Sequence, residues 1–417
     1  MKTKLMYFFY AILTNLAVII SPLIFIYRIL KGKEDPRRFK EKICIYSQKR
    51  TKNKVWIHAA SIGELMSIIP IIKKFEKNKR IKNIIVTTTT TSSAKIFKKL
   101  KFKKTFHVYF PLDNNFLTKR FINYWQPQTA IFVESEIWPN MYKNLKINKI
   151  PIIILNARIV KKTLDRWQIF PSFAKEVFSK ITMALPSNVE TFKYLKQLNV
   201  KNIKVAGNLK YYGEKDIGRI NNKLLKNKFK SLKIWCAAST HKNEEIFLGK
   251  LHKNLKKNNK QLITIIIPRH INRASQIIDD MKKLGLKTIT HSSNLKIKND
   301  TDIYLVDSYG ISSKFYNLTS ITFVGGSLIT HGGQNPLEPA RFGNFIINGP
   351  NVNNFKEIYS FLMEHKMSLT TSSSLKMEKI ILKKLNHKKN KKSIKKIIKI
   401  GEQVLDKNLL YINKYII

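Results

Sequence analysis

The chain has 417 residues, with 78 Lys and Arg against 26 Asp and Glu and a formal net charge of +52. That length supports two or three domains with real cores, and that charge favours an anionic partner such as nucleic acid or an acidic membrane surface. The lysines run along the whole chain among Asn and Ile, as on a solvated surface, and the two distant cysteines, Cys44 and Cys236, leave no case for a structural metal centre and fit a reducing, cytoplasmic setting.

Residues 5–30 are apolar, with no full charge before Arg28, and are long enough for a membrane span of about 20 residues. Asn15, Ser21 and Pro22 interrupt the run, and no small-residue cleavage site is evident. Arg28, Lys31, Lys33, Arg37, Arg38, Lys40 and Lys42 follow, a basic flank of the kind retained on the cytoplasmic side. The expectation is an uncleaved signal-anchor over residues 1–32, with a buried or interfacial helix as the alternative.

Strand-like and helical patterns then alternate. Strands are predicted at 55–60, 84–91, 107–110, 129–133, 152–155, 181–185 and 203–205, with helices over 62–79 and from Ile137. This is the signature of a mostly parallel α/β sheet. The rhythm breaks near Gly207, and residues 210–230 are polar and lysine-rich. A second set follows, with strands at 232–237, 262–267, 303–306 and 321–324 and helices over 243–255 and 272–284. Residues 376–399 are basic with helical periodicity, a solvated face or one touching anionic lipid headgroups. Two Rossmann-like domains facing a central cleft are expected, over residues 33–215 and 216–417.

In such sheets ligands bind beyond the carboxyl ends of strands, so the loops after strands carry the chemistry. After the first strand, Ser61-Ile62-Gly63-Glu64 sets a carboxylate in a first helical turn, either a general base or an ordinary dipole-matched residue. Glu134 and Glu136 follow another strand, as a capping pair or as groups that orient substrate or balance charge. Lys210, after Gly207 and Asn208, offers an ammonium to a phosphate or carboxylate. In the second half, Pro268-Arg269-His270 and Ser239-Thr240-His241 follow strands. There Arg269 suits a phosphate, and His241 and His270 could donate as well. Tyr309, Gly310 and Ile311 offer backbone groups to a base.

Residues 325–343, GGSLITHGGQNPLEPARFG, follow the last of these strands. Paired glycines permit tight turns and close approach. Asn335 and Pro336 suit the start of a helix whose free N–H groups would meet a phosphate, and Glu338 in its first turn suits ribose hydroxyls. No GxGxxG, GxxxxGK[ST], GxSxG or HExxH pattern occurs, which argues against dinucleotide oxidoreduction and P-loop hydrolysis.

WIHAASIGE from Trp56, VESEIWPN from Val133, ILNARI from Ile154, GNLKY from Gly207, AASTHKNEE from Ala237, PRH from Pro268 and VGGSLITHGGQNPLEPARFG from Val324 stand in this order. Together they resemble the 3-deoxy-D-manno-octulosonic-acid (Kdo) transferases, the lipid A glycosyltransferases of Gram-negative bacteria. The resemblance implies a GT-B fold and inverting transfer of Kdo from CMP-Kdo to the lipid A precursor lipid IVA, with no metal and no cofactor beyond the donor substrate. It implies an enzyme held by a single anchor at the inner membrane, its catalytic domains on the cytoplasmic side against an anionic surface, and no nucleic-acid partner. By resemblance, Glu64 matches the proton acceptor, and Glu134 and Lys210 match groups that stabilise the transition state. Pro268, Arg269, Tyr309, Gly310, Ile311, Asn335, Pro336, Leu337 and Glu338 match contacts to CMP. Ile311 stands where the family usually has Glu, and Gln334 where it has His. The rival readings are a GT-B enzyme using a UDP-sugar and a non-catalytic basic protein tethered to the membrane.

Overall fold

The computed structural model describes residues 2–48, 55–213, 222–385, 389 and 391–416. It divides into two compact units, one formed by Met1–Tyr212 with Gly401–Ile417 and the other by Gly213–Ile400. The boundary expected at 215/216, and residues 214–221 of the lysine-rich break, lie outside the described residues.

The first unit holds six parallel strands in the order β3-β2-β1-β4-β5-β6. These are β1 Val55–His58, β2 Ile84–Thr88, β3 Thr105–Tyr109, β4 Thr129–Val133, β5 Ile152–Ala157 and β6 Met183–Pro186. Central strands β1, β4 and β5 are buried along their whole length, as continuous Ile/Val-rich runs covered by helices on both faces must be. Trp56 anchors the core against Phe121 and Phe132, with ring centroids 4.6 and 5.2 Å away. The threonine run expected to extend β2 stops early because Thr90 caps the helix Thr91–Lys99, its hydroxyl accepting from the Ser93 N–H. The run at 203–205 forms only an isolated bridge, Ile203 to Ala184.

The second unit holds seven parallel strands in the order β13-β12-β11-β7-β8-β10-β9. They are β7 Lys233–Thr240, β8 Leu262–Pro268, β9 Thr288–Thr290, β10 Ile303–Leu305, β11 Ile321–Val324, β12 Phe345–Asn348 and β13 Ser368–Thr370. Strands β9, β12 and β13, three, four and three residues long, were not expected from the sequence; β9 and β13 are the edge strands of the sheet. The basic stretch 376–399 is not one helix: Ser374–Lys384 and Lys391–Ile412 are separate helices. Residues 386–388 and 390 between them lie outside the described residues.

The expected domain 216–417 loses its end to the first unit, and the division falls inside the helix Lys391–Ile412. This amphipathic helix buries Val404, Leu405 and Ile412. At Gly401 an added Cβ would lie 2.6 Å from the Tyr211 carbonyl oxygen, so only glycine permits the approach. Beyond it, the Thr129 hydroxyl donates to the Tyr415 carbonyl at 2.5 Å.

Helix Lys2–Leu30 also belongs to the first unit, packing Tyr7 on Phe173 at 5.0 Å and hydrogen-bonding Asn15 to Asn114 at 2.6 Å. It runs unbroken through Pro22, which lacks the N–H that Val18 would receive. The Ser21 hydroxyl takes that carbonyl instead, at 2.8 Å. Among the described residues it is the helix long and apolar enough to cross a membrane, with Leu13, Ile19, Leu23 and Leu30 exposed. The basic flank is only partly free: Arg28 and Lys42 pair with buried Glu34 at 3.1 and 2.7 Å, and Arg38 pairs with Glu41 at 2.8 Å. Lys31, Lys33, Arg37 and Lys40 remain exposed.

Candidate active site

In the first sheet the chain runs outward from β1 to β3 and returns to β4 beside β1. The crevice at such a reversal is where open α/β sheets bind ligands. Glu64 follows β1 and Glu134 follows β4, so the reversal brings both to one edge.

Ser61 caps the helix Ile62–Lys77, accepting from the Glu64 N–H at 3.3 Å. The Glu64 carboxylate in turn accepts from the Ser61 hydroxyl and the Ala60 N–H, both at 2.8 Å. These bonds fix the carboxylate and favour its ionised form. Desolvation outweighs them, and with the nearby charges of Glu136 and Glu134 it raises the Glu64 pKa to about 7.

Glu134 adopts the left-handed backbone region, with φ of 59°, a conformation costly for a residue with a side chain and commonest at functional sites. Its carboxylate meets the Lys210 ammonium at 2.7 Å. Lys210 lies on the short turn Leu209–Tyr211, held from two sides. The Asn208 side chain accepts from the Lys210 N–H at 2.9 Å, and that of buried Asn156 accepts from the Leu209 N–H at 3.0 Å. Asn156 is free to do so because the β5–β6 register slips between Leu155 and Ala157, leaving it out of the ladder with φ of 53°.

The two acids of the Glu-Ser-Glu run take separate jobs. Glu136 Oε2 lies 3.1 Å from His58 Nε2 and accepts from the Trp138 indole at 3.0 Å. His58 is fully buried, stacked on Phe110 at 3.9 Å, with Nδ1 2.9 Å from the Thr87 hydroxyl. His58 is a functional candidate that the sequence motifs do not mark by residue type. Its only signal was a polar residue at a core-facing strand position.

In the second sheet the reversal lies between β7 and β11. Ser239, at a register slip in β7, has φ of 56°, and Gly325 follows β11. A Cβ on Gly325 would lie 2.5 Å from the Ser239 carbonyl oxygen, so the loops pack backbone against backbone. Glu244 ties them together: its carboxylate accepts from the N–H groups of His241 (3.0 Å), Gly326 (2.7 Å), Ser327 (3.0 Å) and Leu328 (3.0 Å). Its side chain is wholly buried. Burial raises its pKa and the four donors pull it back. In the sequence Glu244 stands inside the AASTHKNEE motif with nothing to mark it for this role.

Pro268 is buried at the end of β8, and exposed Arg269 follows it, its N–H donating to the Thr240 carbonyl at 3.0 Å. Arg269 and Arg341 both act electrostatically on Glu338, which is exposed. Gly213 leaves room for Arg341, whose Nε would lie 2.5 Å from an added Cβ. Tyr309 and Gly310 are exposed, and the Ile311 side chain packs on the core around Tyr304 and Phe315. The helix expected at Pro336 starts one residue later and is short, Leu337–Arg341, with Pro336 as N-cap. Asn335 accepts from the Leu337 N–H at 3.1 Å, and Leu337 itself is fully buried. So short a helix carries little dipole, which leaves charge recognition to side chains.

His241 does not meet the expectation of a second phosphate donor. Its Nδ1 lies 3.0 Å from the Ser239 carbonyl, which can only accept, so that N–H is spent. Burial first, then the neighbouring His331, lowers its pKa to about 4. No group of three or more His, Cys, Asp or Glu side chains among the described residues forms a metal site.

A family model described as 3-deoxy-D-manno-octulosonic-acid transferase (kdotransferase) matches residues 37–212. The chain is 32% identical to the 3-deoxy-D-manno-octulosonic acid transferase of Haemophilus influenzae, over 96% of this chain and 95% of that protein. It is also 32% identical to the protein of the same name from Rickettsia bellii, over 96% and 98%. Among solved structures, the UDP-GlcNAc 2-epimerase of Neisseria meningitidis bound to UDP-GlcNAc superposes with a TM-score of 0.55 at 12% identity, covering 85% of this chain and 99% of that one. That likeness shows the fold: two Rossmann-like domains of the GT-B class.

Proposed function

The chain belongs to the 3-deoxy-D-manno-octulosonic acid transferase family and is a glycosyltransferase, and from that premise we propose that it moves Kdo from CMP-Kdo to lipid IVA with inversion at the anomeric carbon. The observation that carries this reading is Glu64, a carboxyl with a pKa of about 7 beside the Glu134–Lys210 pair. A base is most effective when it titrates near the working pH.

In the proposed reaction, an acceptor hydroxyl gives its proton to Glu64. Its oxygen forms the new bond to the anomeric carbon. The bond from that carbon to the phosphate oxygen breaks, and CMP leaves with the electron pair. Lys210 and Glu134 balance the charges of the oxocarbenium-like transition state, where a fixed group contributes about 3 kcal/mol. Arg269 takes the phosphate and Glu338 the ribose hydroxyls. Pro268, Tyr309, Gly310, Ile311, Asn335, Pro336 and Leu337 complete the CMP site, with buried Leu337 and core-packed Ile311 contributing through backbone.

The acceptor is a lipid, and the N-terminal helix supports a reading of the first unit as membrane-facing. Ile169 and Phe170 are exposed as well, a few residues before the Phe173 that packs on Tyr7 of the helix. Exposed Lys31, Lys33, Arg37 and Lys40 would meet anionic headgroups on the cytoplasmic side of the inner membrane.

Purified enzyme given CMP-Kdo and the tetra-acylated disaccharide should yield a product heavier by Kdo in mass spectrometry. Transfer from a UDP-sugar instead, or no transfer with steeply salt-dependent nucleic-acid binding, would replace this reading by one of its rivals.

A further inference from the structure

Three consecutive backbone N–H groups, those of Gly326, Ser327 and Leu328, point at one spot, joined by the N–H of His241. Gly326, with φ of +67°, supplies the left-handed step that lets successive N–H groups converge. Such a concavity is an anion-binding nest. It lies where β11 meets β7, at the reversal of the sheet, the place where this kind of fold usually takes a ligand phosphate. Here it is filled from within by the Glu244 carboxylate, at 2.7–3.0 Å from all four donors.

We propose that Glu244 is a built-in occupant of this nest and, by excluding a second phosphate, restricts the donor site to nucleoside monophosphate sugars. The specificity part rests on the CMP-sugar reading above. Two features make the nest a dedicated seat. The Gly325 Cα faces the Glu244 carboxylate so closely that a Cβ would come within 2.8 Å of Oε2. Exposed Arg269, tied by its N–H to Thr240 on the same loop, remains to take the single phosphate of the donor. While the carboxylate holds those donors, they are closed to the second phosphate of a diphosphate. Glu244 is thus a positioning residue: it acts through the glycine loop and touches no reacting atom.

Glu244→Ala vacates the nest while leaving its backbone donors in the chain. Thermal unfolding of the full chain is measured in phosphate, in formate and in chloride of equal ionic strength. Phosphate and formate should raise the Tm of the variant above its value in chloride and leave the parent unmoved. Competition by CMP and CDP against CMP-Kdo is measured in parallel. The parent should prefer CMP, and the variant should narrow that preference roughly tenfold or more, with KM rising further than kcat falls. If the variant folds and neither anion shifts its Tm, the nest is overturned. If the anions bind but the CMP-to-CDP ratio is unchanged, the specificity claim is overturned. Should Glu244→Ala misfold in chloride, recovery in formate or phosphate supports the nest, and failure in all three overturns it. A parent that does not bind CMP sinks the donor reading instead, leaving the anion result to judge the nest.

Discussion

Glu64→Gln should slow transfer severely and, at neutral pH and above, make the protein more stable. In the fold the carboxyl titrates at about 7 against an ordinary 4.5, with desolvation the first cause. The folded state therefore binds this proton more tightly than the unfolded one. The stability linked to it is fully present below about pH 4.5 and is lost as pH rises to about 7. At about 1.4 kcal/mol per tenfold in proton affinity, the gap amounts to about 3 kcal/mol. Glu64 is partly exposed, and screening reduces this to roughly 1–2 kcal/mol. Glutamine keeps an acceptor oxygen near Ala60 and Ser61 and carries no charge. Above pH 7 the variant should melt a few degrees higher than the parent, and near pH 4.5 the two should coincide. Its kcat should fall by about 10²–10⁴. The parent's kcat should rise about tenfold from about pH 6 to about pH 8 as the base ionises. Calorimetry across this range, with mass-spectrometric turnover, checks both halves. Near-normal turnover, or parent-like melting at every pH, refutes the reasoning.

Glu136→Gln removes the first of the two charges that raise Glu64, so the acid limb of the pH–rate profile should move to lower pH while His58 keeps an acceptor. Lys210→Met leaves Glu134 without its ammonium and should lower kcat by about 10²–10³ with CMP binding retained, as read by single-turnover kinetics. Arg269→Ala should weaken CMP roughly 10- to 100-fold in calorimetric titration, the effect of losing a charged hydrogen bond. Gly325→Ala forces a Cβ to 2.5 Å from the Ser239 carbonyl and should cost the second unit about 1–3 kcal/mol in denaturant unfolding.

The parallel sheets were legible because buried Ile/Val runs alternate with helical periods, and Glu64, Glu134 and Arg269 were legible as candidates because each follows a strand, whereas the run before Lys210 forms only a bridge. The seven motifs supplied the family. Hidden from the sequence were partnerships that only folding creates. Glu136 looked like half of a pair with Glu134 and instead holds His58. Glu244 had no role marked by its place in the motif, and it closes the glycine loop. His241 looked like a donor until Ser239 claimed its N–H. Asn156 reaches Leu209 only because a bulge turns it out of β5, and no residue type announces that slip. The homing of the last helix on the first unit depends on Gly401 and Val404 fitting a distant turn, a contact no local period encodes.

Since both ends of the chain belong to the first unit, the second is an insertion between Tyr212 and Gly401. A ribosome releases β1 to β6 early but delivers the segment that seals them last, after the entire inserted domain has emerged. The inserted domain is contiguous and can mature during synthesis. Its host must wait, with the Thr129 and Tyr211 surfaces uncovered.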